Sequence, residues 1–96
     1  MPKTTCATIA TVQASRIAKR LLNHWKHKFE VADSEQLLQI VMPSATVQLT
    51  PLAESLAVEI TATQEDTDLP RLEQVVLDHL IRMGQEELTA VWQRSE

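Results

Sequence analysis

Asp68–Arg94 reads DLPRLEQVVLDHLIRMGQEELTAVWQR, and it decides the fold. Leu69, Leu72, Val76, Leu80 and Met83 recur at three- and four-residue spacing, which puts them on one stripe of a helix. Arg71, Gln74, Asp78 and Arg82 fall on the far side, towards water. Thr67 or Asp68 can accept hydrogen bonds from the first-turn amides, and Pro70 sits where a missing N–H does no harm. Gly84, the only glycine in the chain, is expected to turn left-handed and stop the helix. The period then changes from about 3.6 to two. Leu88, Ala90 and Trp92 face one way, while Thr89, Val91 and Gln93 face the other. That alternation predicts a half-buried strand with Trp92 mostly buried. Leu77 and Ile81 lie on one margin of the helical stripe. They are expected to cover a sheet edge or to form a subunit contact. His79 lies on the other margin, near Leu72 and Met83.

Upstream, Thr4–Val12 reads as a strand with mixed alternation, as expected of a strand covered on both faces or flanked by neighbours. Cys6 within it is expected to be a small buried thiol. Ala14–His27 reads as the first helix, with Ala14, Ile17, Ala18, Leu21, Leu22 and Trp25 on its apolar face and Gln13 or Ser15 near its start. His24 borders that face and His27 points away from it. Phe29–Val31 reads as a short strand and Ala32–Gln36 as a turn. Further strands are expected at Leu38–Met42, around Val47 and Leu49, and at Leu56–Thr63, the cleanest two-residue period in the chain. With no glycine in these connections, looser turns of three to five residues should replace the tight Asn-Gly type.

The order is β-α-β-β-β-β-α-β. It predicts an α+β two-layer sandwich, a mainly antiparallel sheet with two helices on one face. Leu21, Trp25, Leu72, Val76 and Leu80 would be buried between the layers. Glu30, Gln39, Gln48, Glu59 and Thr61 would face water. A length of 96 residues suits one domain spanning the whole chain.

Composition narrows the function. A single cysteine rules out an internal disulfide and fits a reducing, cytoplasmic setting. No apolar run is long enough for a signal peptide core or a membrane span. Net charge is −4 with two Trp, one Phe and no Tyr, a poor match to a nucleic-acid binder. Arg16, Lys19, Arg20, Lys26 and Lys28 do form a local basic cluster, which reads as a solvated helix face. No phosphate-binding glycine loop, CxxC or HExxH occurs, so no cofactor is expected. Glu86 and Glu87 would diverge on a strand. His24 and His27 are spaced i, i+3, without further ligands nearby in sequence, so no tight transition-metal site is expected.

Three segments carry a family resemblance. Ala14-Ser15-Arg16 with Leu21-Leu22-Asn23-His24-Trp25-Lys26-His27-Lys28 is similar to a pattern ASR…KHxxHK. Ile40-Val41-Met42-Pro43 followed by Leu49 is similar to a central hairpin. His79-Leu80-Ile81-Arg82-Met83 with Glu86-Glu87-Leu88-Thr89-Ala90-Val91-Trp92-Gln93-Arg94 is similar to HLxRF…REELxVxW. Together they resemble the bacterial family catalogued as domain of unknown function 2218. Leu38 and Ala45 stand near family glycines, Met83 replaces an aromatic residue, and Gly84-Gln85 replaces a more apolar pair.

The resemblance implies a small bacterial protein without an established activity, found in some cases fused to or beside siderophore-interacting flavoproteins. It supplies no catalytic residues. The matching motif residues, Arg16, His24, His27, His79, Arg82, Glu87 and Trp92, form the candidate functional surface. The expected role is a non-enzymatic accessory or interaction domain linked to iron, acting as monomer or homodimer on a siderophore-interacting reductase or other protein, without nucleic acid or membrane. The alternative is a small-ligand or metal-binding protein in which His24 and His79 meet between the helices.

Overall fold

The computed structural model describes residues 3–34, 37–64, 66–85 and 87–95. Eight elements follow one another: β1 (Thr4–Ala10), α1 (Ala14–Trp25), β2 (Glu30–Asp33), β3 (Leu38–Val41), β4 (Ala45–Pro51), β5 (Ser55–Ala62), α2 (Leu69–Gly84) and β6 (Gln93–Ser95). The order is the expected β-α-β-β-β-β-α-β. All six strands form one antiparallel sheet, arranged β2-β3-β4-β5-β1-β6. Both β5 and β6 run antiparallel to β1. They are therefore parallel to each other, with α2 linking them across β1.

The two helices pack against each other and on one face of the sheet. Every residue expected on the apolar face of α1, from Ala14 to Trp25, is buried. The facing strand positions are Leu38 and Ile40 of β3, Val47 and Leu49 of β4, and Leu56, Val58 and Ile60 of β5. Complete removal of such side chains from water contributes about 1.5–3 kcal/mol each before the opposing chain entropy is counted. Val76 and Leu80 seat α2 on the same core, whereas Leu72, expected to be buried there, is half-exposed. Leu77 and Ile81 are half-buried against the core.

Asp68 caps α2: its Oδ1 accepts the Arg71 N–H at 3.2 Å. The other end differs from expectation. Gly84 is the last helical residue, and Gln85 takes the left-handed conformation at φ 54° while its N–H reaches the Ile81 carbonyl. The helix runs one residue longer, and its end carbonyls have partners. The Arg20 guanidinium donates to the Met83 carbonyl at 3.1 Å. The hairpin turns use no glycine, but they are tighter than the expected three to five residues. Met42 N–H to Ala45 O and Leu52 N–H to Ser55 O, both at 2.8 Å, close two-residue connections at 43–44 and 53–54.

Several boundaries move. β1 stops at Ala10, not Val12, and α1 stops at Trp25, not His27. β3 ends at Val41, one residue short of the expected Met42. Ala32 and Asp33 extend β2 through the expected turn by pairing with Gln39 and Leu38; Gln36 lies outside the described residues.

β1 is flanked by β5 and β6, one of the two expected alternatives, and is not covered on both faces. Thr5, Ala7 and Ile9 are buried beneath the helices, so Cys6, Thr8 and Ala10 point outwards. Cys6 is accordingly exposed, not buried. Small side chains on both faces had blurred the period.

The largest difference lies after α2. Leu88–Trp92 forms no ladder; only Gln93, Arg94 and Ser95 pair, with Cys6, Thr5 and Thr4. The two-residue alternation nevertheless holds. Leu88 is buried, Ala90 and Trp92 pack partly on the core, and Val91 is exposed. A period of two reports an extended chain with one face on a core. It does not report a hydrogen-bonded neighbour. Trp92 is half-buried, less than expected, because this stretch lies outside the ladder.

Candidate functional site

The candidate residues spread over two regions of the helical layer. Arg16 is exposed on α1, Arg82 is exposed in the last turn of α2, and Glu87 is exposed in the chain beyond it. Trp92 flanks the core below. His27 is exposed in the turn that follows α1. Glu86 lies outside the described residues.

The structure brings His24 and His79 together between the helices, the arrangement that the ligand- or metal-binding alternative requires. Their ring centroids are 5.6 Å apart, with planes inclined at 46°. His24 lies in the last turn of α1 and is exposed; His79 lies halfway along α2 and is half-buried. They meet because the helices pack side by side over the sheet. Trp25 underlies the pair, 4.9 Å from the His79 ring, and meets Phe29 edge-on at 5.9 Å.

His79 Nδ1 lies 2.7 Å from the Val75 carbonyl. A carbonyl only accepts, so Nδ1 carries a proton and donates. In the neutral ring, Nε2 then holds the free lone pair. Among the described residues, no group of three or more His, Cys, Asp or Glu side chains is placed to hold a metal ion.

A second polar centre has no counterpart among the candidate residues. Glu73 of α2 is only 6% exposed and faces the β1–β6 end of the sheet. Arg94 grips its carboxylate with two donors, Nη2 to Oε1 at 2.8 Å and Nε to Oε2 at 3.0 Å. The Thr5 hydroxyl donates to Oε2 at 2.6 Å. Arg94 holds the Glu73 carboxyl below the ordinary glutamate value; burial pushes the other way, and the Thr5 hydroxyl adds to the lowering. The carboxylate in turn raises the Arg94 guanidinium further. The centre joins β1, α2 and β6, and every bond in it is internal. One signal was available: Glu73 lies between Leu72 and Val76, four residues after Leu69, where a purely apolar stripe would want hydrocarbon.

The open sheet face carries a groove of about 420 Å³ in which Cys6 lies beside Glu59 and Gln93, its register partners on β5 and β6. On the opposite layer, Arg16, Lys19, Arg20, Lys26 and Lys28 are all exposed. Residues 14–28 carry these five cations and no carboxylate, in a chain of net charge −4. Among the described residues, no helix is long and apolar enough to cross a membrane.

The model of the family domain of unknown function 2218, described as an uncharacterized protein conserved in bacteria, matches residues 6–93. The chain belongs to that family. It is also similar to a solved structure, the NMR structure of PA4090 from Pseudomonas aeruginosa. Identity is 32% over 97% of this chain and 96% of that one, with a TM-score of 0.76. No curated protein matches. Membership accounts for the three motif segments and brings no assigned activity with it.

Proposed function

We propose that this member of the family is a non-enzymatic interaction domain that docks on a larger, acidic partner through the outer face of α1 and the turn that follows it. The observation that carries the reading is charge segregation. The five cations of residues 14–28 are exposed without an intervening carboxylate, while the rest of the chain is strongly acidic. Such a patch accelerates encounter with an oppositely charged surface and orients it. Arg20 is already held in place by the Met83 carbonyl, so part of the patch is ordered before a partner arrives. The partner the family resemblance implies is a siderophore-processing flavin reductase, with iron handling as the setting.

Purified protein and such a reductase from the same bacterium test this by surface-immobilised binding. Binding should appear at low salt and weaken steeply by physiological ionic strength, where exposed charges are screened beyond about 8 Å. Lys19→Glu with Lys26→Glu should abolish it without changing the circular dichroism spectrum. Protein abundance should rise on iron starvation. A salt-independent interaction, or one indifferent to charge reversal, removes the α1 face from the account. Abundance indifferent to iron, with no reductase bound, removes the iron setting.

A further inference from the structure

We infer that His24 and His79 form a solvent-open binding site for a late first-row divalent metal ion, with the remaining coordination positions left to water or to ligands that the ion brings. The argument begins with distance. A metal–nitrogen bond of about 2.0–2.1 Å places each imidazole centroid about 3.2 Å from the ion. Two rings on one ion are then about 5.2 Å apart at the tetrahedral angle and about 6.4 Å apart in line. The observed 5.6 Å falls between these limits. A stacked histidine pair would instead be closer and near parallel, whereas these planes are inclined at 46°.

The second step is the tautomer. The Val75 carbonyl takes the His79 Nδ1 proton at 2.7 Å, which leaves Nε2 as the ring's donor atom. Metal-ligating histidines characteristically make this kind of bond from the nitrogen that does not bind the ion, because it fixes the ring and raises its basicity. Trp25, packed 4.9 Å from the His79 ring, limits its rotation from below. His24 lies in the final turn of α1, where the free carbonyl ends of the helix favour positive charge.

The donor set selects the ion. Two neutral imidazoles suit copper, zinc and nickel better than calcium or magnesium, which prefer oxygen. Two protein ligands hold an ion less firmly than the three or four of a closed site. The open positions therefore define a site for an exchangeable ion, not a structural one. This inference is independent of the docking reading, since the pair meets between the helices whether or not the cationic face has a partner.

Zinc is the appropriate probe, being redox-silent towards the exposed Cys6 thiol. Calorimetric titration of zinc sulfate into the protein should give one-to-one binding. His24→Gln should weaken it by about tenfold or more, in line with the sensitivity of metal sites to ligand changes. His24 is exposed, so this variant keeps the fold. His79→Gln should do the same, and His27→Gln and Cys6→Ser should leave the affinity within about twofold. Three results overturn the inference: no saturable binding, wild-type affinity in His24→Gln, or a loss that follows His27→Gln or Cys6→Ser instead.

Discussion

The two halves of the sheet are held in different ways. Under α1, strands β3, β4 and β5 meet the helix through hydrocarbon alone, and Ile17, Leu21, Ile40, Val47 and Leu49 are fully buried. Under α2, the sheet ends in a short strand with three paired residues, and a buried carboxylate stands where another leucine would fit. Three ladder positions hold a strand weakly. The bidentate grip of Arg94 on Glu73 supplies the anchor that the ladder lacks. A carboxylate so buried is tolerable only when its oxygens are satisfied, and here both are. Apolar packing tolerates exchange of one hydrocarbon for another of similar shape. The charged anchor requires one acid, one guanidinium and one hydroxyl at fixed places.

Leu21→Ala tests the apolar half and should show the largest effect. The side chain is fully buried in the core, and its truncation should cost about 2–5 kcal/mol, read as a lower urea midpoint at unchanged slope. Leu21→Met should lose less than about 1.5 kcal/mol. Equal losses from the two variants would mean that shape, not lost hydrocarbon, governs this half.

Glu73→Ala tests the polar half, with an expected loss of about 2–3 kcal/mol as Thr5 and Arg94 lose their acceptor. Conservative exchange separates the two halves further: Glu73→Gln keeps the volume yet should still destabilise, because the amide cannot accept from both Arg94 donors and Thr5 as the carboxylate does. Acid titration adds a sign. The folded carboxyl is held below its ordinary value of 4.5, so its stabilisation is complete above that value and is lost as pH falls through the lower, folded one. Stability of the wild type should therefore drop below about pH 4.5, and the drop should be shallower in Glu73→Gln. Parallel acid limbs for the two proteins would show that the anchor contributes nothing to folding.

The same division explains what the sequence made legible. Periods of 3.6 and two revealed both helices, the hairpins and the sidedness of the sheet, because apolar burial recurs at those spacings. The residues of β1 favour a strand but do not distinguish its faces, since Thr, Cys and Ala differ little in hydrophobicity. The alternation of residues 88–92 implies a ladder that the chain does not form, because alternation measures facing and not pairing. Glu73 and Arg94 are separated by 21 positions, and a lone acid in an apolar stripe carries no mark of its partner. His24 and His79 belong to the same class. Each is visible as a border histidine and their meeting is one of two alternatives, but only the helix-to-helix packing places the rings 5.6 Å apart.

The smallest effect is expected where the two halves meet, at the end of α2. Arg20 of α1 reaches across to the Met83 carbonyl, and the chain leaves the helix through Gln85 at φ 54° and ψ 37°. A side chain with a Cβ pays about 1–2 kcal/mol in that region, and glycine does not. Glycine gives back part of the difference through its freer unfolded chain, about 0.5–1 kcal/mol. Gln85→Gly should therefore stabilise the protein by about 0.5 kcal/mol, a rise in thermal midpoint of about 2–4 °C for a domain of this size. The sign is the informative part. If Gln85 were an ordinary right-handed helical residue and Gly84 the left-handed one, as the sequence alone implies, Gln85→Gly would lower the midpoint instead. Calorimetric scans of Gln85→Gly beside Arg20→Met refine the comparison. Losing the Arg20 donor frees the Met83 carbonyl and should fray the last turn of α2. The benefit of glycine at position 85 should then shrink in the double variant, because a frayed end no longer holds that residue left-handed. Strict additivity of the two changes would uncouple the helix end from α1.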